Sequence, residues 1–568
     1  MLKSALRYGL EQTPYLNLLG SDKIFGALSQ LKLPPTTKLT PDIARQVCLR
    51  SNSKLVIAGF IADAGVHYRL RDQVVHALGV AAARLRRNLG EPTASLARFN
   101  KPLEEARSSS VEALQVGTLG YKRVIAGDVE GAIPYYKRAL ELDPKFATTY
   151  EALGIAYGGL GEQYLALSAY ARAYELRARM TEPSRLEMEF TYYSAVTGER
   201  EKALSALWQS VQTYPRNVNA RLNLAHCLAA LGQLDKAADE ALEAVRLQPT
   251  DFTYRELTPL LMNAERLNEA QATMDEAAAR KLDSGLQQGR IHMAFLQNDQ
   301  RAMQEQWDQA IGRPDAYLFL LTRSEVEQYH GHFSRARQLI RQALGPAPGT
   351  AAGRRFDTLS WEARSVLWEA ESDSTHARQI AAATLTKASN RESKLFLMLA
   401  FARAGDTEQA GKMADVLSKD FPLDTLVQNY RLPTIRAAMK LNADDPAGAI
   451  AALEPSLKYE LSWNESFGGL YPAYLRGLAY LRQGEGRLAA VEFQKLLDHR
   501  GMVGTDVTGA LAHLQIARAQ KMMSDEAAAR KSYETFLDLW KDADPDLPVY
   551  QQAKAEYAQL KNLADQVR

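Results

Sequence analysis

The chain has 568 residues, 46% apolar and 24% charged, with 69 basic side chains against 67 acidic ones and a formal net charge of +2. That balance gives no electrostatic case for nucleic acid or for an anionic membrane surface. The length exceeds what one compact core holds, so it asks for about three or four domains, or for a repeat array in which each unit buries its face only against its neighbours.

The amino-terminal residues carry Lys3, Arg7 and Glu11 at helical spacing and no apolar core of signal-peptide length. No apolar run reaches the roughly 18 residues that a membrane-crossing helix needs. On these grounds the chain reads as cytoplasmic. Cys48 and Cys227 lie far apart and read as small packed residues rather than as a disulfide.

Residues 1–90 predict a small, reduced α/β segment. Leu2 to Gln12 reads as a helix, Leu16 to Leu19 as a short strand, and Lys23 to Leu31 as a second helix. Thr40-Pro41-Asp42 is a helix start, with a Thr cap, Pro at the first position and an acid in the first turn. Lys54 to Ala62 is a mostly apolar, β-branched run and predicts a strand, with Tyr68 to Leu70 pairing back on it. Asp72 to Leu89 is amphipathic, and its basic run Arg84-Leu85-Arg86-Arg87 predicts a solvated face. Residues 91–112, with Pro92, Pro102 and Ser108 to Ser110, predict a linker.

From Ala113 to Ala178 the chain repeats with a period of about 34 residues. The first line holds Gly120, Gly127-Asp128, Ala132, Tyr136, Ala139 and Pro144, and the second Gly154, Tyr157, Gly161-Glu162, Ala166, Tyr170 and Ala173. Such a period marks two antiparallel helices per unit, a tetratricopeptide-type signature. Gly120 and Ala132 let the two helices of a hairpin approach, tyrosines fill the wider gaps, and Gly127 and Gly161 end the first helices in a left-handed conformation. Aligning the small residue near the start of each second helix gives Ala203, Ala237, Ala270, Ala302, Ala336, Ala377, Ala410, Ala449, Ala489 and Ala529. The predicted fold is mainly α, an α-solenoid of about twelve hairpins, with a first half at 113–345, a joint at 346–357 and a second half at 358–568.

Two sets of strings resemble one bacterial family. Gly90-Glu91-Pro92 and Phe99-Asn100-Lys101-Pro102-Leu103-Glu104 precede the repeats; Leu432-Pro433-Thr434-Ile435-Arg436, Leu470-Tyr471-Pro472-Ala473-Tyr474 and Leu539-Trp540-Lys541-Asp542 follow in the second half. They resemble acidobacterial-type serine/threonine protein kinases and related regulators, in which a TolB-amino-terminal-like segment leads into tetratricopeptide repeats. The resemblance implies a sensory or docking portion whose kinase or DNA-binding head is absent from this chain, in a region lying beyond a membrane.

Catalytic constellations are lacking. Asp498-His499-Arg500-Gly501 has Gly where a kinase catalytic loop carries Asp, and reads as a turn between hairpins. Gly345, Gly349 and Gly353 lead to Arg354-Arg355, without the Lys-Ser/Thr of a phosphate loop. His330-Gly331-His332 lacks a third metal ligand nearby in sequence. No enzyme, cofactor or metal is therefore expected.

The expected function is equilibrium binding of a protein or peptide partner on the concave, first-helix face. The positions carried onto this sequence are Tyr121, Ile125, Glu151, Ile155, Met188, Tyr192, Leu222 and His226. The competing reading for each is packing against the next hairpin. Gly117 and Tyr121 stand where some repeat proteins hold a carboxylate clamp of Lys and Asn, so that clamp is not predicted.

Overall fold

The computed structural model describes the chain except residues 1, 17, 20, 35–36, 52, 54–70, 314, 346–350, 389, 464–468 and 567–568. Every regular element among the described residues is helical. By contacts the chain divides into two compact units: residues 1–156, 168–188 and 212–216, and residues 157–167, 189–211 and 217–568.

In the first unit the expected α/β character does not appear among the described residues. The helices Leu2–Leu10, Ser21–Gln30, Pro41–Arg50 and Arg71–Asn88 form instead. Leu16, Leu18 and Leu19 lie in irregular backbone, and Leu19 packs against a helical cluster of Ala27, Leu28 and Val47. A four-residue run between Pro14 and Gly20 is short for a strand, and an apolar helix face offers Leu19 the burial that a strand would have supplied. The expected strand at 54–62 and its pairing at 68–70 lie outside the described residues. Thr40 caps its helix as its sequence predicts, accepting from the Ile43 amide at 3.4 Å.

The Arg84–Arg87 run is corrected at one position. Arg84 and Arg87 are exposed, but Arg86 is fully buried and paired with an equally buried Glu91, Nε to Oε2 at 2.7 Å and Nη2 to Oε1 at 2.8 Å. Ser95 Oγ also donates to Glu91 at 2.7 Å, and Arg86 donates to the Phe99 carbonyl at 3.2 Å. A guanidinium saturates its donors this way only inside a folded surround. The expected linker is that surround. Pro92 and Pro102 cap the short helices Thr93–Phe99 and Leu103–Ala106, which bury Leu96, Phe99, Leu103 and Ala106. Both prolines sit ahead of the first helical residue, where a missing N–H costs nothing.

The hairpins obey the small-residue logic. A Cβ on Gly120 would lie 2.7 Å from a Tyr136 ring carbon, and one on Gly154 would lie 2.5 Å from Tyr170. Gly127 and Gly161 have φ of +81° and +77°, at the ends of first helices. The aligned alanines from Ala132 onward are buried, most of them completely, with Ala302 half-buried. The joint expected at 346–357 is helical from Ala351, within Ala351–Ala370.

The second unit folds back on itself. The ends of its early first helices meet segments far along the chain. Thr425 N donates to the Gly198 carbonyl at 3.0 Å, Trp463 N to Ala229 at 2.9 Å, and Asp544 N to Gly331 at 3.1 Å. Gly501 N donates to Glu265 Oε1 at 2.7 Å, and Arg500 to the Leu296 carbonyl at 2.7 Å. Helix ends supply carbonyls with no partner inside the helix, and the returning chain donates to them, except at Glu265, where the side-chain carboxylate accepts. At the first seam, π-helical turns at Tyr192–Thr197 and Val427–Arg431 adjoin the contact.

Candidate functional site

The eight sequence-derived positions separate by exposure. In the first unit Tyr121 is 56% exposed, and Ile125 and Ile155 are each 59% exposed. Tyr121 and Ile125 share one face of Val111–Ile125; Glu151 and Ile155 share the equivalent face of Ala147–Gly159. Burial pushes the Glu151 carboxyl up to about 8, the nearby Glu187 charge acts the same way, and Arg107 opposes both. Met188, by contrast, is fully buried, so it is a packing residue and not part of an accessible face.

In the second unit Leu222 is 3% exposed and belongs to the hydrophobic core. Tyr192 is half-buried within a π-helical turn. His226 donates to Glu256 Oε2 at 2.9 Å, and its ring stacks on Trp463 with centroids 5.8 Å apart. At His226 the first-helix face expected to stay open is therefore partly covered by the returning chain. Met188 and Leu222 are corrected to core residues, each within its own unit: an apolar side chain is stabilised by burial wherever a neighbour reaches it.

The other sequence candidates are structural. His499 Nδ1 lies 2.9 Å from the Lys495 carbonyl, and Arg500 and Gly501 form the seam described above. His330 Nδ1 meets the Leu539 carbonyl at 3.2 Å, and His332 Nδ1 meets Glu327 at 2.8 Å. Burial lowers the His330 imidazole, whereas the Glu327 hydrogen bond raises that of His332. No cluster of three metal-ligating side chains occurs among the described residues. Cys227 is buried, its thiol pushed up to about 11 by desolvation. No described helix is long and apolar enough to cross a membrane.

Sequence reasoning missed a cavity of about 540 Å³ in the second unit. Its walls come from the helices Asp251–Asn263, Gln287–Leu296, Ala351–Ala370 and Arg391–Arg403, and from returning residues 462–463 and 501–506. One wall is ionic: Arg364 reaches Glu325 at 2.8 Å and Asp506 at 2.5 Å. Gly469 N donates to the second Asp506 oxygen at 3.1 Å. Burial raises the Asp506 carboxyl to about 6, against the pull of Arg364. The signal that could have disclosed this cavity is Gly501. It lies inside a short helix, where no turn needs it, and a Cβ there would sit 1.9 Å from the Met262 carbonyl oxygen.

A family model for TPR repeat matches residues 120–161, and one for tetratricopeptide repeat matches residues 197–258. The fold is thus a tetratricopeptide-type array of helical hairpins. Neither matched model describes a kinase, a DNA-binding head or a TolB-like segment. No curated protein matches the chain. Among solved structures, PilW, a "widely conserved type IV pilus biogenesis factor", aligns at 19% identity over 37% of this chain and 98% of its own, with a TM-score of 0.31. YrrB, "a TPR protein with an unusual peptide-binding site", aligns at 21% identity over 34% and 90%, with a TM-score of 0.23. The P58(IPK) TPR domain aligns at 14% identity over 81% and 99%, with a TM-score of 0.22.

Proposed function

We propose that this chain is an interaction scaffold that binds a protein or peptide segment on the first-helix face of its matched amino-terminal repeat. One observation carries the reading: Tyr121, Ile125 and Ile155 stand more than half exposed on successive first helices. Large apolar side chains left in water on one face are what a partner's side chains bury. A segment lying there meets Glu151, whose raised carboxyl is a hydrogen-bond donor near neutral pH. The mechanism is equilibrium binding on a preformed surface, with no bond made or broken.

The test is site-specific photo-crosslinking in the organism that makes the protein. A photoreactive residue at Tyr121 or Ile155 is expected to capture the same partner, which a residue at the exposed Arg301 does not. The purified partner should then bind Tyr121→Ala and Ile155→Ser variants about tenfold or more weakly. Equal capture at Arg301, or unchanged affinity in both variants, overturns the proposal.

A further inference from the structure

The cavity in the second unit is lined by two neutral donors that the described residues leave unmatched. Asn263 ends its helix, is 6% exposed and lines the cavity, and its Nδ2 has no hydrogen-bond partner among the described residues. The indole N–H of Trp361, on an adjoining wall, is likewise buried without one. A buried donor left without a partner is unfavourable, so two such donors on adjoining walls of one cavity are what the acceptor of a bound molecule would satisfy.

The charged groups are already engaged. Arg364 holds Glu325 and Asp506, Arg255 lies 3.5 Å from Glu256, and Glu392 has its own partner. An ionised ligand would give up its hydration for no free counter-charge. His292 also lines the cavity, and burial lowers its imidazole, so it is neutral near pH 7 with one nitrogen donating and one accepting. The remaining walls include the rings of Phe295, Phe396 and Trp463. A volume of about 540 Å³ falls within the range of small-molecule sites.

From these observations we infer that the cavity is a binding site for a neutral small molecule with a planar apolar body and a carbonyl-type acceptor. The acceptor takes the Asn263 amide and the Trp361 indole N–H, and the apolar body lies among the aromatic walls. The site is independent of the partner-binding face proposed above, and the two can fail separately.

Three probes of similar size test it on the full chain by saturation-transfer NMR and titration: benzamide, its anionic counterpart benzoate, and toluene, which has no acceptor. Benzamide is expected to bind saturably, with benzoate and toluene each at least about tenfold weaker. Asn263→Leu should weaken benzamide by about tenfold, and Trp361→Phe, which keeps most of the ring and deletes the N–H, should weaken it in the same direction. Thermal melts check that each variant is folded. Should Asn263→Leu not fold, Trp361→Phe alone decides. Absence of saturable benzamide binding, benzoate or toluene binding as tightly, or full affinity in the folded variants would each overturn the inference.

Discussion

The amide of Trp463 donates to the carbonyl of Ala229 at 2.9 Å, and the Trp463 ring lies over His226 three residues before that carbonyl. One residue thus closes a helix end and covers the face beside it. Ser462 donates to the adjacent Ala230 carbonyl, and Gly232, at φ +76°, leaves room for the Leu461 backbone 3.3 Å from where its Cβ would be. Backbone amide-to-carbonyl contacts at Gly198 and Gly331, and an amide-to-carboxylate contact at Glu265, make the early hairpins of the second unit a bed for later ones. The open first-helix face of an extended array becomes interior here, and the cavity is what remains unfilled.

The seam at Gly501 is the least tolerant point of that closure. A methyl group there would lie 1.9 Å from the Met262 carbonyl oxygen, a backbone atom that no rotamer change can move. Gly501→Ala should therefore lower stability by about 2–4 kcal/mol. Gly26→Ala, in a mid-helix position with nothing within 4 Å of the new Cβ, should be neutral or stabilising by up to about 1 kcal/mol. Urea midpoints of the two variants check the contrast. Equal midpoints would show that the seam yields.

Exposure divides the expected groove residues into two classes with opposite phenotypes. Met188→Ala and Leu222→Ala should each cost about 2–5 kcal/mol of stability, because each deletes a buried side chain. Tyr121→Ala and Ile155→Ser should stay within about 0.5 kcal/mol of wild type while weakening partner capture. Chemical denaturation of the four variants separates the classes. A large loss at Tyr121 or Ile155 would place it in the core instead.

The buried Arg86–Glu91 pair fixes the amino-terminal helices. Glu91→Gln should cost about 3–5 kcal/mol, since it leaves a fully buried guanidinium without its counter-charge. Burial opposes ionisation of Glu91, but hydrogen bonds from Arg86 and Ser95 overcome it and hold the carboxyl below its ordinary 4.5. The stability it contributes is thus present above about 4.5 and is lost as the pH falls through the lower folded value. Acid unfolding followed by circular dichroism should show wild type and Glu91→Gln converging at low pH. A constant difference down to the acid transition would contradict this.

The hairpins were legible because their determinants are local. Gly120 meets Tyr136 and Gly154 meets Tyr170 within one repeat each, so the spacing itself encodes the contact. Ala203, Ala237 and Ala489 could be aligned for the same reason, and each is fully buried. What joins Gly198 to Thr425, or Met262 to Gly501, has no such period. A glycine at a helix end announces a turn, and nothing in the turn states which distant backbone will settle on it. The donors of Asn263 and Trp361 were invisible for a related reason: lacking a partner is a property of packing, not of sequence. Arg86 was misread because an amphipathic stripe gives its edge residues no sign of whether a later segment, here Glu91 to Phe99, will cover them.

Asp506 supplies a pH test of the closed arrangement. It is 2% exposed, faces Arg364, Glu325 and the Gly469 amide, and titrates near 6 in place of its ordinary 3.8. The folded chain therefore holds this proton more tightly than the unfolded one. The stability so contributed is fully present below about 3.8 and is lost as the pH rises through about 6. Asp506→Asn removes that dependence and keeps a similar shape, at the expense of one of the two carboxylates that hold Arg364. Wild type should thus lose stability relative to Asp506→Asn between about pH 4 and pH 7 and run parallel to it above. Urea midpoints of both proteins across that window measure the difference directly. A difference that stays flat, or moves in favour of wild type as pH rises, would mean that Asp506 is ionised throughout and that Arg364 outweighs its burial.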